Sequence, residues 1–230
     1  MAFVGSYRQP DLEAVAALRP DLIVASGPVD GSYALYSSIA PTVVIDVHDQ
    51  PLETALMRFA ELVGRTETAE RLRAGVEAKA EAWRTRLGDR LDRTTVSAVT
   101  RWGEGATFNA MPPEHAWGAV RRMLDPVMTP PERDEDAPGL DRSLEALGAH
   151  AADVTVFVSF DGDDAAGGRS FERFAAEPLV RALPVTRAGQ LFEFDGTRIV
   201  GSGWSRIAEG LDQLGAVLAR DDLDRDLVRE

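Results

Sequence analysis

The sequence predicts an α/β protein made of two α/β lobes with mainly parallel sheets, joined by one long backbone helix. The first observation behind this prediction is a helix–turn–strand unit, residues 10–27, whose pattern returns at residues 143–160. The second is a charged stretch with helical spacing, residues 67–91, which lies between the two copies. Short helices that alternate with apolar strands are typical of parallel sheets, so each copy predicts one lobe.

The first copy predicts a short helix followed by a buried strand. Asp11 is a suitable N-cap for a helix over residues 12–18, and a proline ends that helix. The apolar run at residues 22–25 fits a strand that is buried on both faces. After a glycine-containing loop, we expect a helix at residues 33–39 and a second buried strand at residues 42–46.

The middle of the chain is predicted to be helical. Apolar residues recur at helical spacing through residues 52–63, and a second stripe runs from Ala69 past Trp83 to Leu87. The second stretch is long and charged, which is typical of a helix that bridges two bodies. The predicted divisions are a truncated N-terminal lobe (1–66), a linking helix (67–91), a C-terminal lobe (92–220) and a charged tail (221–230).

The C-terminal lobe is predicted to repeat the order of helix and strand. Glu145 holds the same place in the second copy of the unit that Glu13 holds in the first. Trp83 and Trp117 are predicted to lie in the core. The predicted strands are 94–100, 154–159 and 190–194, the predicted helices are 114–124, 143–150, 171–182 and 204–219, and residues 126–138 are expected to be an acidic, proline-rich loop.

Composition excludes several classes of function. The formal net charge of −13 argues against a surface for nucleic acid or anionic membrane, because both need a basic face. The absence of cysteine excludes disulfides, thiolate metal sites and a cysteine nucleophile. No apolar run approaches the ~20 residues of a transmembrane helix. The first seven residues have neither the basic nor the apolar region of a secretory signal.

Motifs for metal binding and catalysis are incomplete. His48, His115 and His150 are scattered without the spacing of metal ligands, so we expect them to be structural or solvated. Residues 161–164 have the composition of a calcium loop but lack its distal glutamate. Residues 201–206 lack the Gly-x-Ser-x-Gly motif of esterases, and the single lysine does not follow the glycines of a phosphate-binding loop.

The repeated unit resembles a known family. Residues 10–24, Pro-Asp-Leu-Glu-Ala-Val-Ala-Ala-Leu-Arg-Pro-Asp-Leu-Ile-Val, are similar to the motif PNLEAIxALKPDLIL of the substrate-binding proteins of ABC importers for ferric siderophores, haem and cobalamin. Residues 178–194 resemble that family's pLWxxLpAVkxGrVyev, and the linking helix and the unit at Ser143 also match. The resemblance spans nearly the whole chain and implies a non-enzymatic protein that holds its ligand between two lobes.

The beginning of the chain departs from the family pattern. Members carry a signal peptide, often a lipidated cysteine, and a strand–helix–strand unit ahead of the first motif, whereas residues 1–7 align with the end of the family's second strand. We therefore expect an incomplete N-terminal lobe whose exposed sheet edge could pair with another copy of the chain. The family implies a periplasmic or membrane-anchored location, and the chain as given implies a cytoplasmic one if Met1 is the true start.

The resemblance also implies two sets of site residues. Glu13 and Glu145 are expected to dock at arginines of the ABC permease membrane subunits. The ligand is expected on loops that follow strand ends, where aromatic faces and arginines suit an anionic iron chelate. No covalent cofactor is expected, and a ferric siderophore is favoured over haem or cobalamin as ligand. The predicted ligand contacts are Tyr7, Arg8, Ser26, Arg101, Trp102, Asn109, Phe160, Arg198, Trp204 and Arg206.

Three functions remain open at the level of the sequence. The favoured one is the solute-binding component of an ABC-type iron import system, which captures a ferric siderophore between its lobes and delivers it to a membrane permease. The alternative is a cytoplasmic enzyme or assembly component that reuses a truncated form of this fold and does not need Glu13 or Glu145. A binding module that acts only as a dimer is the third.

Overall fold

Residues 3–62 form short strands and three helices in the part of this range that the structure describes. The structure is a computed structural model that describes residues 3–6, 9–25, 32–47, 50–101, 106–111, 115–133, 141–160 and 169–228. The Asp11 side chain accepts a hydrogen bond from the Ala14 backbone N–H at 3.0 Å, which confirms the predicted helix cap. The elements are β1 (Gly5–Ser6), β2 (Gln9–Pro10), α1 (Leu12–Ala17), β3 (Ile23–Ala25), α2 (Tyr33–Ile39), β4 (Thr42–Val44) and α3 (Leu52–Leu62).

Strands β3 and β4 are less buried than the sequence predicts. The two strands pair in parallel, with Ile23 opposite Thr42. Every residue of β3 is only partly buried, and Val44 in β4 is 37% exposed. The predictions that the first strand is buried on both faces and that the second is buried are therefore wrong for β3 and β4. The reason is that, in the described part of the chain, they pair only with each other and cannot form the interior of a wider sheet.

The linking helix is present as α4 (Thr66–Leu87), followed by the short helix α5 (Arg90–Arg93). It ends four residues earlier than predicted because Gly88 adopts a φ of 53°, a left-handed conformation that glycine tolerates without strain. Four residues of α4 are buried along one side, namely Ala69, Val76, Ala80 and Leu87. None of the described helices is long and apolar enough to cross a membrane.

The C-terminal lobe is built on a six-stranded sheet in the order β10-β9-β5-β6-β8, with β7 also paired to β5. The pairs β10–β9, β9–β5 and β5–β7 are parallel, and β5–β6 and β6–β8 are antiparallel. The elements are β5 (Thr95–Thr100), β6 (Thr107–Ala110), α6 (His115–Leu124), β7 (Val127–Met128), α7 (Pro130–Arg133), β8 (Arg142–Ser143), a 3₁₀ helix (Leu144–His150), β9 (Val154–Ser159), α8 (Ser170–Ala176), α9 (Pro178–Ala182), α10 (Pro184–Arg187), β10 (Leu191–Asp195), α11 (Gly196–Ile199) and α12 (Trp204–Leu218).

Three expectations for this lobe need correction. Residues 126–138 are not simply a loop, because β7 and α7 lie within their described part; Val127 pairs with Thr95 of the central strand β5. The helix expected at 143–150 is a 3₁₀ helix. The helix expected at 171–182 is two helices, since Pro178 begins a new one and a proline cannot continue the hydrogen bonding of the helix before it.

The sheet of the C-terminal lobe carries a separate apolar layer on each face. Val154, Val156 and Val158 of β9 pack with α4, α6 and α12, whereas Phe157 between them belongs to a second cluster with residues of α8 and α9. This alternation follows from the two-residue period of a strand. Trp117 of α6 is fully buried in the first layer, as predicted. Trp83 is only partly buried and packs against the same layer.

Residues 221–228, the described part of the predicted charged tail, contact the C-terminal lobe. The Asp224 backbone N–H donates a hydrogen bond of 2.6 Å to Gln190 Oε1, next to the start of β10. Arg225 Nε donates to Thr94 Oγ1 at 3.1 Å, and Leu223 is buried in the first apolar layer. Residues 221–228 thus lie against the amino-terminal ends of strands β5 and β10.

Asp212 joins α12 to the linking helix α4. Its carboxylate forms an ion pair with Lys79 and accepts a 2.9 Å hydrogen bond from Trp83 Nε1. Partial burial raises the pKa of Asp212, but the hydrogen bonds from Lys79 and Trp83 outweigh burial, so the pKa lies below its usual value. The ionised form therefore stabilises the fold above the pKa of the unfolded carboxyl, and this stabilisation is lost as pH falls through the folded pKa.

The variant Asp212→Asn is expected to unfold more easily than the native chain at pH 7, by less than about 1 kcal/mol because the pair is half exposed. The difference should shrink as pH falls below about 4, since the native carboxylate is then protonated as well. Urea unfolding at pH 7 and pH 3 measures both values. Glu70→Gln, at an exposed position of the same helix α4, is the control, and its effect on the free energy of unfolding should not depend on pH in this way. If Asp212→Asn lowers the free energy of unfolding equally at pH 7 and pH 3, the ionised Asp212 carboxylate does not stabilise the fold.

Candidate functional site at the strand ends

The carboxyl ends of three parallel strands lie at one edge of the large sheet. Thr100 of β5 is opposite Val158 of β9, and Ser159 of β9 is opposite Asp195 of β10. Three groups of predicted ligand contacts follow directly: Arg101 after β5, Phe160 after β9, and the segment from α11 to α12 after β10. The structure therefore brings them to the same edge, which is where open α/β sheets bind ligands.

Arg101 is held in a defined orientation at this edge. Its side chain is 12% exposed, and its Nε donates a hydrogen bond of 3.0 Å to the Thr107 carbonyl oxygen. Both terminal nitrogens lie 3.3 Å from Glu177 Oε1, and the guanidinium lies over the Phe174 ring, 5.4 Å from its centroid. An arginine fixed by packing and hydrogen bonds can meet an anion at little cost in side-chain entropy.

Phe160 lies against the beginning of α11. A Cβ atom at Gly196 would come within 2.6 Å of both the Phe160 ring and the Ser159 carbonyl oxygen. Glycine at this position is therefore required for α11 to start directly against the end of β9. Phe160 is partly buried and packs on the first apolar layer. This contact places the aromatic ring and α11 side by side at the edge.

The segment after β10 presents two of its three predicted contacts at the surface. Arg198 is largely exposed and forms an ion pair with Glu209 at 2.9 Å. Arg206 is partly buried in the first turn of α12. Trp204, which begins α12, is only 7% exposed and belongs to the core. Packing therefore accounts for the position of Trp204, and its contact with a ligand stays a prediction.

Asn109 lies in β6 beside the end of β5, opposite Thr100. The residue is 1% exposed, and its Nδ2 donates a 2.9 Å hydrogen bond to Asp141 Oδ1. The side chain therefore supports the loop ahead of β8, and its contact with a ligand stays a prediction. Four more predicted contacts lie outside the described residues and also stay predictions, namely Tyr7, Arg8, Ser26 and Trp102.

Glu13 and Glu145 are exposed and occupy equivalent places in their helices, one in each lobe. The start of α1 is capped by Asp11, and the start of the 3₁₀ helix by Ser143 Oγ, which accepts from the Glu145 backbone N–H at 3.3 Å. Neither glutamate side chain has a hydrogen bond or an ion pair with any described residue. Because neighbouring residues already cap both helices, capping does not explain these two carboxylates.

Two partners at this site have no signal in the sequence. Glu177 pairs with Arg101 from 76 positions away, and Asp141 pairs with Asn109 from 32 positions away. Neither carboxylate belongs to a motif. Among the residues that the structure describes, no group of three or more histidine, aspartate or glutamate side chains could hold a metal ion.

Two α/β lobes joined by a long helix, with the strand ends of the larger sheet gathered at one edge, define a two-lobed binding protein. The chain belongs to the periplasmic binding protein family, whose model matches residues 2–197. Members of this family are binding proteins and not enzymes, which confirms the expectation of a non-enzymatic role.

A relative of similar sequence agrees with this assignment. The chain is 26% identical over 226 residues to the ferric enterobactin-binding periplasmic protein FepB of Escherichia coli, and the match covers 91% of the chain and 67% of that protein. The chain thus spans about two thirds of the length of this relative.

Solved structures show the same fold at lower identity. Staphylococcus aureus SirA has a TM-score of 0.77 at 19% identity, covering 94% of this chain and 82% of that one. S. aureus FhuD2 with bound ferrioxamine B has a TM-score of 0.73 at 18% identity, covering 91% and 80%.

Proposed function

We propose that this chain is the solute-binding component of an ABC-type iron import system, which binds a ferric siderophore at the strand-end edge and delivers it to a membrane permease. The observation that carries the proposal is the gathering of Arg101, Phe160 and the segment after β10 at one edge of the sheet. The relative FepB, described as binding ferric enterobactin, supports a ferric siderophore as the ligand class.

The chemistry of the edge suits such a ligand. A siderophore supplies every ligand to its iron, so the protein needs no metal-binding side chains of its own and recognises the outside of the chelate. The guanidinium of Arg101 offers charge and hydrogen bonds to an anionic chelate, and the Phe160 ring offers an aromatic face for packing. Glu177 neutralises Arg101 in the absence of ligand, and a bound anion would share or replace this partner.

Delivery is assigned to Glu13 and Glu145. A permease built from two similar halves presents two equivalent surfaces, and two carboxylates on two lobes can meet one arginine cluster each. The absence of described partners for both side chains supports this role, because neither would have to give up an internal ion pair on docking. Family membership favours a periplasmic or membrane-anchored location over a cytoplasmic one.

Ligand capture is tested by quenching of the intrinsic tryptophan fluorescence. We expect at least one ferric siderophore among ferric enterobactin, ferrioxamine B and related chelates to quench at micromolar concentration or below. Arg101→Gln should weaken this affinity by about tenfold or more, because a buried charged contact to the ligand is lost. Arg187→Gln, an exposed arginine on α10, is the matched control and should have no effect.

A second variant tests whether Glu177 competes with the ligand for Arg101, with which it forms an ion pair. Glu177→Gln leaves Arg101 in place and removes the competing carboxylate, so affinity for an anionic chelate should stay the same or rise. If no ferric siderophore, haem or cobalamin quenches the native chain at micromolar concentration, the transport proposal fails. If Arg101→Gln binds as tightly as the native chain, Arg101 is not a ligand contact.

A further inference from the structure

The Glu132 carboxylate is buried inside the C-terminal lobe and accepts hydrogen bonds from several directions. The residue lies in α7 and is 6% exposed. One oxygen accepts from the hydroxyls of Ser97 and Thr129, and the other accepts from the Ala98 backbone N–H at 3.0 Å. A buried carboxylate with this many donors is well compensated for the loss of water.

The contact with Ala98 fills a gap at the edge of strand β5. On this edge, β7 pairs with Thr95 and Val96, whereas β6 pairs with Val99 and Thr100. The Ala98 N–H lies between these two partners, and Glu132 supplies its acceptor. Glu132 therefore joins α7 to the central sheet at a point where no strand is available to do so.

His150 connects Glu132 to the 3₁₀ helix. Its Nδ1 lies 3.1 Å from Glu132 Oε1, and its imidazole is 1% exposed. The Phe108 ring meets the imidazole edge-on, with centroids 5.1 Å apart. Nε2 is buried and has no hydrogen-bond partner among the described residues, and the ring borders a small, mainly apolar cavity of about 10 Å³. Glu132 is thus the described partner that fixes the orientation of the ring.

The 3₁₀ helix carries its buried and exposed residues on different faces. Leu144, Leu147 and His150 are buried and are spaced by three, which places them on one face of a helix with three residues per turn. Glu145 follows Leu144 and is exposed. Two leucines can slide in an apolar environment, whereas a hydrogen bond has a defined direction, so the His150–Glu132 contact sets the rotation of the helix.

We propose that Glu132 and His150 are positioning residues for Glu145, which fix the rotation of the 3₁₀ helix so that Glu145 is held ready for the permease. This role rests on the proposed function of Glu145 in docking. The other lobe offers a natural contrast, because helix α1, which carries Glu13, has no buried residue at all. The two docking carboxylates are therefore held with different rigidity, and Glu145 is the fixed one.

The first test measures the mobility of position 145 without any permease. The chain has no cysteine, so Glu145→Cys and Glu13→Cys each accept a single nitroxide spin label. His150→Leu should shorten the rotational correlation time of the label at 145 by about twofold or more, since the helix loses its tether. His150→Asn keeps a donor near the position of Nδ1 and should restore most of the native value. The label at 13 should not respond to either change.

His150→Leu removes one of the hydrogen-bond partners of the buried Glu132 carboxylate, so a milder variant covers the case in which it does not fold. Thr129→Val removes one donor to Glu132 and keeps the shape of the side chain. It should give a smaller change of the same sign at 145. A folded His150→Leu or Thr129→Val protein with an unchanged label at 145 would overturn the proposal, as would an equal change at 13.

The second test is a double-mutant cycle on binding to the importer's permease in lipid nanodiscs. His150→Leu should weaken binding by about three- to tenfold, but should add nothing once Glu145 is replaced by alanine. Equal effects of His150→Leu with and without Glu145 would overturn the positioning role. If Glu145→Ala has no effect on permease binding, the docking function proposed for Glu145 is wrong. The spin-label measurement at position 145 still decides whether Glu132 and His150 fix the rotation of the helix.

Discussion

Replacing Glu13 and Glu145 together by arginine should abolish delivery of iron to the permease and leave capture of the ferric siderophore unchanged. Each reversal turns an attractive contact with a permease arginine into repulsion, and like charges at an interface cost several kcal/mol. We expect a loss of more than about tenfold for each single variant and more than about 100-fold for the double variant. Both side chains are exposed and unpartnered among the described residues, so the fold should be unaffected.

Uptake of radioactive iron into proteoliposomes that contain the importer, together with siderophore binding by the free protein, checks this expectation. The matched control is the double variant Glu70→Arg and Glu193→Arg, which makes the same change in net charge at exposed positions of α4 and β10. Equal losses in the two double variants would show that net charge, and not docking at Glu13 and Glu145, controls delivery. Weaker siderophore binding in the first variant would place these glutamates at the ligand instead.

The variant Trp117→Ala should be the most destabilising truncation of the core, lowering the free energy of unfolding by about 3–5 kcal/mol. Trp117 is fully buried in α6 and belongs to the layer that also contains Val156 of the sheet and Leu211 of α12. Its removal leaves a cavity that helices packed against a sheet cannot close. Urea unfolding followed by circular dichroism measures the loss, and Leu72→Ala, at a half-exposed position of α4, should cost little.

Trp117→Phe separates the packing of the ring from its polar group. The indole Nε1 of Trp117 is buried and has no hydrogen-bond partner among the described residues. Replacing it by phenylalanine therefore loses volume but breaks no hydrogen bond with those residues, and should cost clearly less than Trp117→Ala. Equal losses in the two variants would mean that the indole nitrogen makes a contact that stabilises the fold.

Sequence reasoning succeeds where the signal is local. The helix Tyr33–Ile39 and the strand Val154–Ser159 lie at the predicted positions, and Asp11 caps its helix as expected. In each case the pattern lies within a few residues: apolar periodicity, a capping side chain, or a proline at the boundary. The sequence also predicts that Trp117 lies in the core, and it is fully buried.

It fails where the structure depends on distant partners. Strand β6 is four residues long and is stabilised by pairing with β5 and β8, so its own sequence carries little signal. Strand β7 and helix α7 lie in residues 126–138, whose composition predicts a loop. A long-range hydrogen bond from the Ala98 N–H to Glu132 connects this stretch to β5. The sequence predicts more burial of β3 and β4 than the structure shows. An apolar run indicates that a strand can be buried, but it does not indicate which helices or strands pack against it.

The sequence by itself determined the class of this protein, because the repeated helix–turn–strand unit and the helical stretch between its copies are local patterns that resemble the motifs of the family. It also determined that Glu13 and Glu145 are equivalent. Only the tertiary structure decided that Arg101 is held by Glu177 and that Glu132 joins His150 to the central sheet. These contacts form between residues that are far apart in the chain, and their geometry exists only once the strands have paired and the helices have packed.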